Sequence, residues 1–137
     1  MTDPLGKTTN YEYDNLGRKT KDLLPDPDGA GPLARPTTRY EYDAVGNRTK
    51  LTDPVNNATT WAYDGLDRMT VETNPLTHQR TVEYDSAGNV TKVTDRNGRV
   101  TEYSYDNLYR LTQERWKNGQ TVIYKTQPLA HSGWLIA

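Results

Sequence analysis

The sequence contains no cysteine and no phenylalanine, and only 33% of its 137 residues are hydrophobic. The lack of cysteine excludes disulfides and thiolate metal sites and leaves the redox compartment open. The hydrophobic fraction lies below the usual globular composition, so a thick two-sided core is not expected. No segment is long and apolar enough for a transmembrane helix. The first 25 residues have no apolar run and do not resemble a signal peptide.

The abundant residue types favour strands and turns. Ten tyrosines and three tryptophans supply the aromatic surface, and tyrosine and threonine both favour β-strands. Ten glycines and eight prolines, with many Asn and Asp residues, favour turns. A net charge of −1 gives no general attraction to nucleic acid or to an anionic membrane. We therefore expect a thin β-sheet whose single apolar face is formed mostly by tyrosine.

A Tyr-Asp pair recurs along the chain with regular spacing. The five pairs are Tyr13-Asp14, Tyr42-Asp43, Tyr63-Asp64, Tyr84-Asp85 and Tyr105-Asp106. The last four pairs are 21 residues apart, and the first interval is 29 residues. Such a recurrence, in which the neighbouring residues recur as well, is typical of a repeat array.

Each repeat is predicted to be a strand, a tight turn and a second strand. Alternation places an aromatic partner on the same face as the Tyr in four repeats, at Tyr11, Tyr40, Trp61 and Tyr103. The Asp is predicted to cap the turn by accepting hydrogen bonds from backbone N–H groups two and three residues later. A left-handed residue is expected next in the turn, which suits Gly17, Gly46 and Gly88. Asp67 tolerates this conformation at some cost, whereas Tyr109 implies a strained or different turn.

Two further positions recur in every repeat. A Thr stands at the same place in each second strand, which predicts a packing or ladder position beside its copies in neighbouring hairpins. These residues are Thr20, Thr49, Thr70, Thr91 and Thr112. An apolar residue inside each turn is expected to fold back over the strand end. These residues are Leu16, Val45, Leu66, Ala87 and Leu108.

The short turns determine the predicted topology, because strands joined by them are antiparallel neighbours. We predict an all-β fold, an antiparallel β-meander of about ten short strands in a curved open sheet. The array covers 1–124, with a Pro- and Gly-rich loop inserted at 23–36, and a non-repeat tail follows at 125–137. Trp134, Leu135 and Ile136 in the tail are expected to pack on the sheet; the alternatives are a disordered end or the start of a different domain. Two unpaired edges favour edge-to-edge self-association, or a soluble but loosely ordered chain, unless they are covered.

The candidate reactive groups form no recognisable catalytic or metal site. His78 lies in a predicted turn and His131 in the tail, and the sequence contains no serine nucleophile elbow and no His-Glu-x-x-His motif. The repeated Asp residues are predicted to be turn caps. The segments DPDG at 26–29 and DRNG at 95–98 lack the twelve-residue spacing and closing Glu of a calcium loop. We therefore predict a non-catalytic chain with no cofactor and no metal.

The aromatic row allows two interpretations. Tyr11, Tyr40, Trp61 and Tyr103 can supply the main apolar contact area of a thin sheet, at roughly 25 cal/mol per Å² buried. They can also stack on sugar rings or contact a partner polypeptide. The regular spacing favours packing, and both roles are compatible if the aromatic face lines a cavity.

The pattern Y-x-Y-D-x-x-G-R/N-x-T resembles the YD repeat of the rearrangement-hotspot (RHS) family, which is found in bacterial polymorphic toxins, insecticidal toxin complexes and teneurins. The pattern occurs at 11–20, 40–49, 61–70, 82–91 and 103–112. Asp67 and Tyr109 depart from its glycine, which affects the local turn geometry.

The resemblance implies a hollow shell, secreted or at the cell surface, in which many repeats form one continuous sheet around a toxin or other cargo. The expected function is a non-catalytic structural module of such a shell, with further repeats or a cargo polypeptide as partners. Recognition of a carbohydrate or cell-surface ligand is the alternative. Five repeats can form a curved sheet but are too few to close a shell. The family's self-cleaving motif of Asp, Pro and Gly is not found in the sequence.

Overall fold

The computed structural model describes most of the repeat array. The described residues are Thr2, Pro4, 7–29, 31, 33–118 and 121–126, with the backbone alone for 117–118 and 121–126. The predicted packing of the tail residues Trp134, Leu135 and Ile136, and the position of His131, lie outside this set. The chain divides into two compact units, Met1–Thr77 and His78–Ala137.

The first unit is a meander of six antiparallel strands, in which each strand pairs with the next. The strands are β1 (Asn10–Tyr13), β2 (Lys19–Leu23), β3 (Thr37–Tyr42), β4 (Arg48–Thr52), β5 (Ala58–Tyr63) and β6 (Met69–Thr73). The hairpins β1–β2, β3–β4 and β5–β6 each contain one Tyr-Asp pair, at the end of the first strand.

The second unit is a meander of five antiparallel strands. The strands are β7 (Gln79–Tyr84), β8 (Val90–Thr94), β9 (Val100–Tyr105), β10 (Leu111–Asn118) and β11 (Thr121–Thr126). The predicted all-β antiparallel meander is therefore confirmed, and within the described residues neither unit closes into a barrel. The described part of the chain contains no helix with the length and apolar character needed to cross a bilayer.

A β-bulge lies beside the turn of each hairpin that contains a Tyr-Asp pair, and the repeated Thr is its extra residue. In β1–β2, Glu12 pairs with Lys21 while Tyr13 pairs with Lys19, so Thr20 has no opposite residue. The register skips the corresponding Thr in the other hairpins too, at Thr49, Thr70, Thr91 and Thr112. The structure therefore differs from the predicted ladder position, because an extra residue interrupts the ladder there.

In two of the five hairpins the Thr hydroxyl binds a carbonyl across the bulge. Thr70 Oγ1 donates to the carbonyl of Ala62 at 3.2 Å, and Thr112 Oγ1 donates to that of Ser104 at 3.0 Å. Each acceptor belongs to the residue that pairs just beyond the bulge. A bulge disrupts local ladder hydrogen bonds, so a hydroxyl at this position supplies a replacement donor.

One five-residue turn closes each hairpin that contains a Tyr-Asp pair. In the first, the Asp14 N–H donates to the Arg18 carbonyl at 2.9 Å and the Gly17 N–H donates to the Asp14 carbonyl at 3.0 Å. We call the turns that begin with the Asp of a Tyr-Asp pair YD turns. The turns 53–57 and 95–99, which join one hairpin to the next, contain the same two hydrogen bonds and are called connecting turns.

The structural period is thus half of the sequence period. An Asp or Asn begins a turn after alternately 10 and 11 residues, at Asp43, Asp53, Asp64, Asn74, Asp85, Asp95 and Asp106. One strand and one turn form the repeating piece, and two of them make the 21-residue repeat. The sequence predicts turns at the connecting segments, and the structure shows that these turns have the same hydrogen bonds as the YD turns.

The fourth residue of these turns adopts a left-handed conformation. Glycine fills this position at Gly17, Gly46, Gly88 and Gly98, with φ between 76° and 108°. Four other residues also adopt it, namely Asn56 (φ 66°), Asp67 (60°), Thr77 (65°) and Tyr109 (59°). The turn at Tyr109 is therefore the same turn under strain, with the Tyr109 N–H 2.9 Å from the Asp106 carbonyl.

Replacing Thr77 with Gly is expected to raise the free energy of unfolding by about 1 kcal/mol, because a β-branched residue is strained at positive φ. Chemical denaturation of the full chain measures the change. The reverse substitution is Gly98→Thr. An added Cβ at this position meets no atom within 4 Å, so any loss of stability comes from backbone strain at positive φ. We expect the free energy of unfolding to fall by about 1–2 kcal/mol. Unchanged stability in both variants would contradict this account.

The apolar residues inside the YD turns do not cover the strand ends, contrary to the prediction. Leu16, Val45, Leu66 and Leu108 are 67–73% exposed. The backbone N–H of each residue points inward to the turn Asp, as in Leu16 N–H to Asp14 Oδ1 at 2.9 Å. The side chain consequently projects away from the sheet. Ala87 is exposed as well.

The two faces of the strands differ in polarity. Cross-strand ion pairs lie on one face, with Lys–Glu distances of 2.7 Å (Lys21–Glu12), 3.1 Å (Lys50–Glu41) and 2.8 Å (Lys92–Glu83). The opposite face carries the aromatic row. Among the described residues only Val82 is a buried hydrophobic, at 5% exposure. The sheet is thin, and the contacts between neighbouring side chains must replace a deep core.

The inserted loop is anchored at its base by Arg35. Its guanidinium donates to the carbonyls of Leu24 at 2.8 Å, Leu23 at 3.0 Å and Thr8 at 3.1 Å. The Leu24 N–H donates to the Pro36 carbonyl at 3.0 Å. These contacts hold the ends of the insertion together, so β2 and β3 remain neighbours despite the long connection.

Candidate functional site

Each turn Asp binds both the backbone and one side chain of its own turn. Asp64 Oδ1 accepts the N–H groups of Leu66 at 2.9 Å and Arg68 at 3.1 Å. Asp64 Oδ2 accepts Arg68 Nε–H at 2.7 Å. The donors in this turn lie two and four residues after the Asp, whereas in the turn of Asp43 the predicted donor three residues later, the Gly46 N–H, also contacts Oδ1, at 2.8 Å. The contact to Oδ2 explains why the fifth residue of each YD turn is Arg or Asn.

The asparagine version of the turn has the same connections. Asp85 Oδ1 accepts the N–H groups of Ala87 at 2.9 Å and Asn89 at 2.8 Å, and Asp85 Oδ2 accepts the Asn89 side-chain amide at 2.8 Å. Both oxygens are thus used within the turn, which favours a structural role for the repeated carboxylates.

These hydrogen bonds lower the pKa of the turn carboxyls. The Arg68, Asn89 and Arg110 side chains are the main cause for Asp64, Asp85 and Asp106, and the backbone N–H groups add to the effect. In the turns of Asp43 and Asp95, desolvation acts in the opposite direction and the hydrogen bonds outweigh it. The pKa values of Asp14 and Asp53 are lowered as well.

The Tyr of the pair links its hairpin to the preceding one. In the first unit, the Tyr42 hydroxyl donates to the Lys19 carbonyl at 2.9 Å and the Tyr63 hydroxyl donates to the Arg48 carbonyl at 2.9 Å. In the second unit, the Tyr105 hydroxyl donates to the Val90 carbonyl at 3.0 Å.

The accepting carbonyls share one position in the fold. Each belongs to the first residue of a second strand, next to the bulge. Strands β2 and β3 pair only over Lys21–Leu23 and Thr37–Arg39, so Lys19 lies where the ladder between hairpins has ended. The Tyr hydroxyl therefore provides the hydrogen bond that the ladder does not supply there.

The first Tyr of the array differs from the others in its surroundings. Tyr13 lies on β1, which pairs only with β2 among the described strands, and it is 60% exposed. Tyr84 lies on β7 and is half-buried, as are Tyr42, Tyr63 and Tyr105. Tyr42, Tyr63 and Tyr105, which contact an earlier hairpin of their own unit, are thus less exposed than Tyr13.

Cationic side chains of the same chain lie over three rings of the aromatic row, those of Tyr11, Tyr40 and Trp61. Lys19 Nζ lies 4.8 Å from the Tyr40 ring centre and 5.6 Å from that of Tyr11, and the Arg48 guanidinium carbon lies 4.5 Å from that of Trp61. Tyr40, Trp61 and Tyr103 are half-buried, and Tyr11 is 41% exposed. Contacts at this distance are stabilising cation–π interactions.

Tyr40 also belongs to a polar cluster. Its hydroxyl donates to Asp22 Oδ2 at 2.6 Å, and Lys19 Nζ lies 2.9 Å from Asp22 Oδ1. Burial, followed by the nearby Asp22 carboxylate, raises the pKa of Tyr40. The hydroxyl is therefore a donor at neutral pH, and the cluster fixes the ring in place.

Neighbouring YD turns of the first unit contact one another directly. The Arg18 guanidinium donates to the Asp43 carbonyl at 2.9 Å and lies 4.9 Å from the Tyr42 ring centre. The Asn47 side-chain amide donates to Asp67 Oδ1 at 2.8 Å. The carboxylate of Asp67 thus contributes a contact between hairpins that the usual glycine cannot make.

No three His, Cys, Asp or Glu side chains among the described residues are grouped to hold a metal ion. His78 is exposed and directly precedes β7. In the two acidic segments, Asp95 Oδ1 accepts the N–H groups of Asn97 and Arg99, and Asp26 Oδ1 accepts that of Asp28. Both carboxylates therefore stabilise local backbone.

The comparisons with known proteins agree with this architecture. A model of the RHS repeat matches residues 42–79 and 84–121, more than half of the chain, and the chain therefore belongs to the RHS repeat family. No curated protein matches the sequence.

Solved toxin-complex structures share the fold. "Crystal Structure of TcdB2-TccC3-TEV" matches with a TM-score of 0.61 and 20% identity over 82% of this chain. "Crystal Structure of TcdB2-TccC3-Cdc42" matches with a TM-score of 0.60 and 20% identity over 77% of this chain. In both cases the match covers only 6% of the larger chain. At this identity the likeness establishes the fold alone.

Proposed function

We propose that the chain is a non-catalytic structural module of an RHS shell that encloses or presents a toxin or other polypeptide cargo. The observation that best supports this proposal is the use of the repeated side chains. The Asp carboxylates bind their own turns, and the Tyr hydroxyls bind the preceding hairpin. The recurring motif therefore builds a sheet and does not present reactive groups to a substrate.

Further repeats are the first partner that we propose. Tyr13 stands at the position where Tyr42 and Tyr63 contact an earlier hairpin, and it is largely exposed on β1. An additional repeat beside β1 would supply the missing carbonyl and pair with the strand edge. The small share of the toxin-complex chains that this chain matches agrees with a role as one part of a larger sheet. A second copy of the chain at this edge is the simpler alternative, which light scattering distinguishes.

Carbohydrate recognition through Tyr11, Tyr40, Trp61 and Tyr103 is less well supported. Sugar rings stack on exposed aromatic faces, whereas Lys19 and Arg48 lie over the rings of Tyr40 and Trp61. A sugar would have to displace these cations. The structural role requires no such displacement.

Titration of the full chain with a permanently unfolded polypeptide, reduced and carboxymethylated α-lactalbumin, tests the cargo proposal. We expect saturable chemical-shift changes at Tyr11 and Tyr13 on the aromatic face, and none at Glu41 and Lys50 on the ion-paired face. Absence of saturable changes, or changes confined to the ion-paired face, would contradict cargo contact through the aromatic face. A parallel glycan array should give no saturable binding.

A further inference from the structure

A cleft with a volume of about 390 Å³ lies between two neighbouring YD turns of the second unit. Its walls include Asp85 and Asn89 from one turn, Asp106 and Tyr109 from the next turn, and Tyr105 at the end of β9. The cleft opens at the surface of the sheet, within reach of a side chain from another molecule.

The corresponding place in the first unit is occupied by the side chain of Arg18. Its Nε–H donates to Asp14 Oδ2 at 2.7 Å, and its Nη1–H donates to the Asp43 carbonyl at 2.9 Å. The guanidinium carbon lies 4.9 Å from the Tyr42 ring centre. Three groups therefore hold this guanidinium: a carboxylate, a backbone carbonyl and an aromatic ring.

The cleft presents the same three groups without the arginine. Their counterparts, at the same positions of the repeat, are Asp85, Asp106 and Tyr105. Asn89 stands where Arg18 stands in the first repeat, and its short amide reaches only Asp85 Oδ2, at 2.8 Å. Replacement of Arg by Asn thus leaves room for a guanidinium from outside.

The Asp106 carbonyl in the cleft can accept a second hydrogen bond, from a bound guanidinium. The Asp106 carbonyl accepts the Tyr109 N–H at 2.9 Å, and a carbonyl oxygen has two lone pairs. The equivalent Asp43 carbonyl accepts both the Gly46 N–H, at 3.3 Å, and Arg18 Nη1–H, at 2.9 Å. The first repeat therefore demonstrates the double hydrogen bond that a guest guanidinium would complete at Asp106.

The other asparagine-containing junction is closed by a different side chain. Asn47 donates to Asp43 Oδ2 at 3.1 Å and to Asp67 Oδ1 at 2.8 Å, so a carboxylate from the next turn meets it. In the cleft, the position of Asp67 is taken by Tyr109, a residue that is 66% exposed. Tyr109 leaves the space open and adds a second aromatic wall.

We propose that this cleft binds the guanidinium group of an arginine side chain from a partner polypeptide. A planar guanidinium can donate to a carboxylate and a carbonyl at once while it stacks on an aromatic ring, which a lysine ammonium cannot do equally well. The proposal goes beyond the structural role, because it assigns one ligand class to one cleft whether or not the sheet encloses cargo.

Nuclear magnetic resonance titration of the full chain with Nα-acetyl-arginine N-methylamide tests the proposal. We expect saturable shifts of the Tyr105 and Tyr109 ring signals with a dissociation constant on the order of 1 mM, and nuclear Overhauser contacts between the ligand δ-methylene and the Tyr105 ring. The neutral citrulline analogue and the lysine analogue should bind at least about tenfold more weakly. No saturable shift, equal binding of either analogue, or absence of the Overhauser contact would overturn the proposal.

Two variants that add the same charge at different places complete the test. Asn89→Arg should fill the cleft from within, as Arg18 fills the corresponding place in the first repeat. The variant should therefore bind the arginine ligand at least about tenfold more weakly. Asn57→Arg adds an arginine at the fifth position of a connecting turn and should leave binding unchanged. Amide spectra verify that both variants are folded. If folded Asn89→Arg binds the ligand with wild-type affinity, the assignment of the cleft is overturned. If that variant does not fold, the presence or absence of the Overhauser contact in the wild type decides whether the cleft is the binding site.

Discussion

Acidification below about pH 4 is expected to unfold the chain steeply, because the pKa values of its turn aspartates are lowered in the folded state. The seven residues are Asp14, Asp43, Asp53, Asp64, Asp85, Asp95 and Asp106. A carboxyl with a lowered folded-state pKa stabilises the fold above its unfolded value of 3.8, and the stabilisation is lost as the pH falls through the folded value. All seven groups act in the same pH range and in the same direction.

Thermal unfolding of the full chain between pH 2 and pH 7 measures this effect. The midpoint should be nearly constant above pH 5 and fall progressively below pH 4. Asp64→Asn is the matched control, because Asn74 begins an equivalent turn and its Oδ1 accepts the Leu76 N–H at 3.0 Å. The variant keeps a turn acceptor but removes one titrating group, so its midpoint should depend less steeply on pH. A midpoint that does not change from pH 5 to pH 2 would refute the prediction.

Tyr63→Ala is expected to lower the free energy of unfolding by about 2–4 kcal/mol, through loss of a half-buried ring and of the hydrogen bond to the Arg48 carbonyl. Tyr63→Phe keeps the ring and should lower it by about 1 kcal/mol. The difference between the two variants separates ring packing from the contribution of the hydroxyl. Urea denaturation of the full chain measures both values.

Tyr13 provides the control for this pair of variants. It occupies the same repeat position, but its hydroxyl has no hydrogen-bond partner among the described residues and its side chain is 60% exposed. Tyr13→Ala and Tyr13→Phe should therefore change stability by no more than about 0.5 kcal/mol. Equal losses at Tyr13 and Tyr63 would show that the contact with the preceding hairpin is not the source of the stabilisation.

Much of the fold was predictable from local pattern. Alternation around Tyr63 and Tyr84 identifies strands, and the Asp that follows each identifies a turn, because both signals depend on residues close in sequence. The role of Thr70 was not predictable, because a bulge is defined by register and register depends on the partner strand. The equivalence of the connecting turns was present in the sequence as the 10- and 11-residue spacing of Asp and Asn.

The candidate site was less predictable than the fold. The sequence identifies the aromatic row but not the cations that cover Tyr40 and Trp61, because those contacts depend on the lateral distance between hairpins. The exchange of Arg18 for Asn89 at the fifth turn position is visible in the sequence. Its significance appears only when the contacts of Arg18 show what the position does.

The insertion at 24–36 shows that the connection between two hairpins can vary in length. The connection between β2 and β3 is much longer than the five-residue connecting turn 53–57, yet the Tyr42–Lys19 and Tyr63–Arg48 hydrogen bonds have the same length of 2.9 Å. We therefore expect the connecting ends to accept foreign peptides, protease sites or fluorescent labels without loss of alignment between hairpins. A scaffold for peptide grafting would carry the grafted sequences in these connections between hairpins.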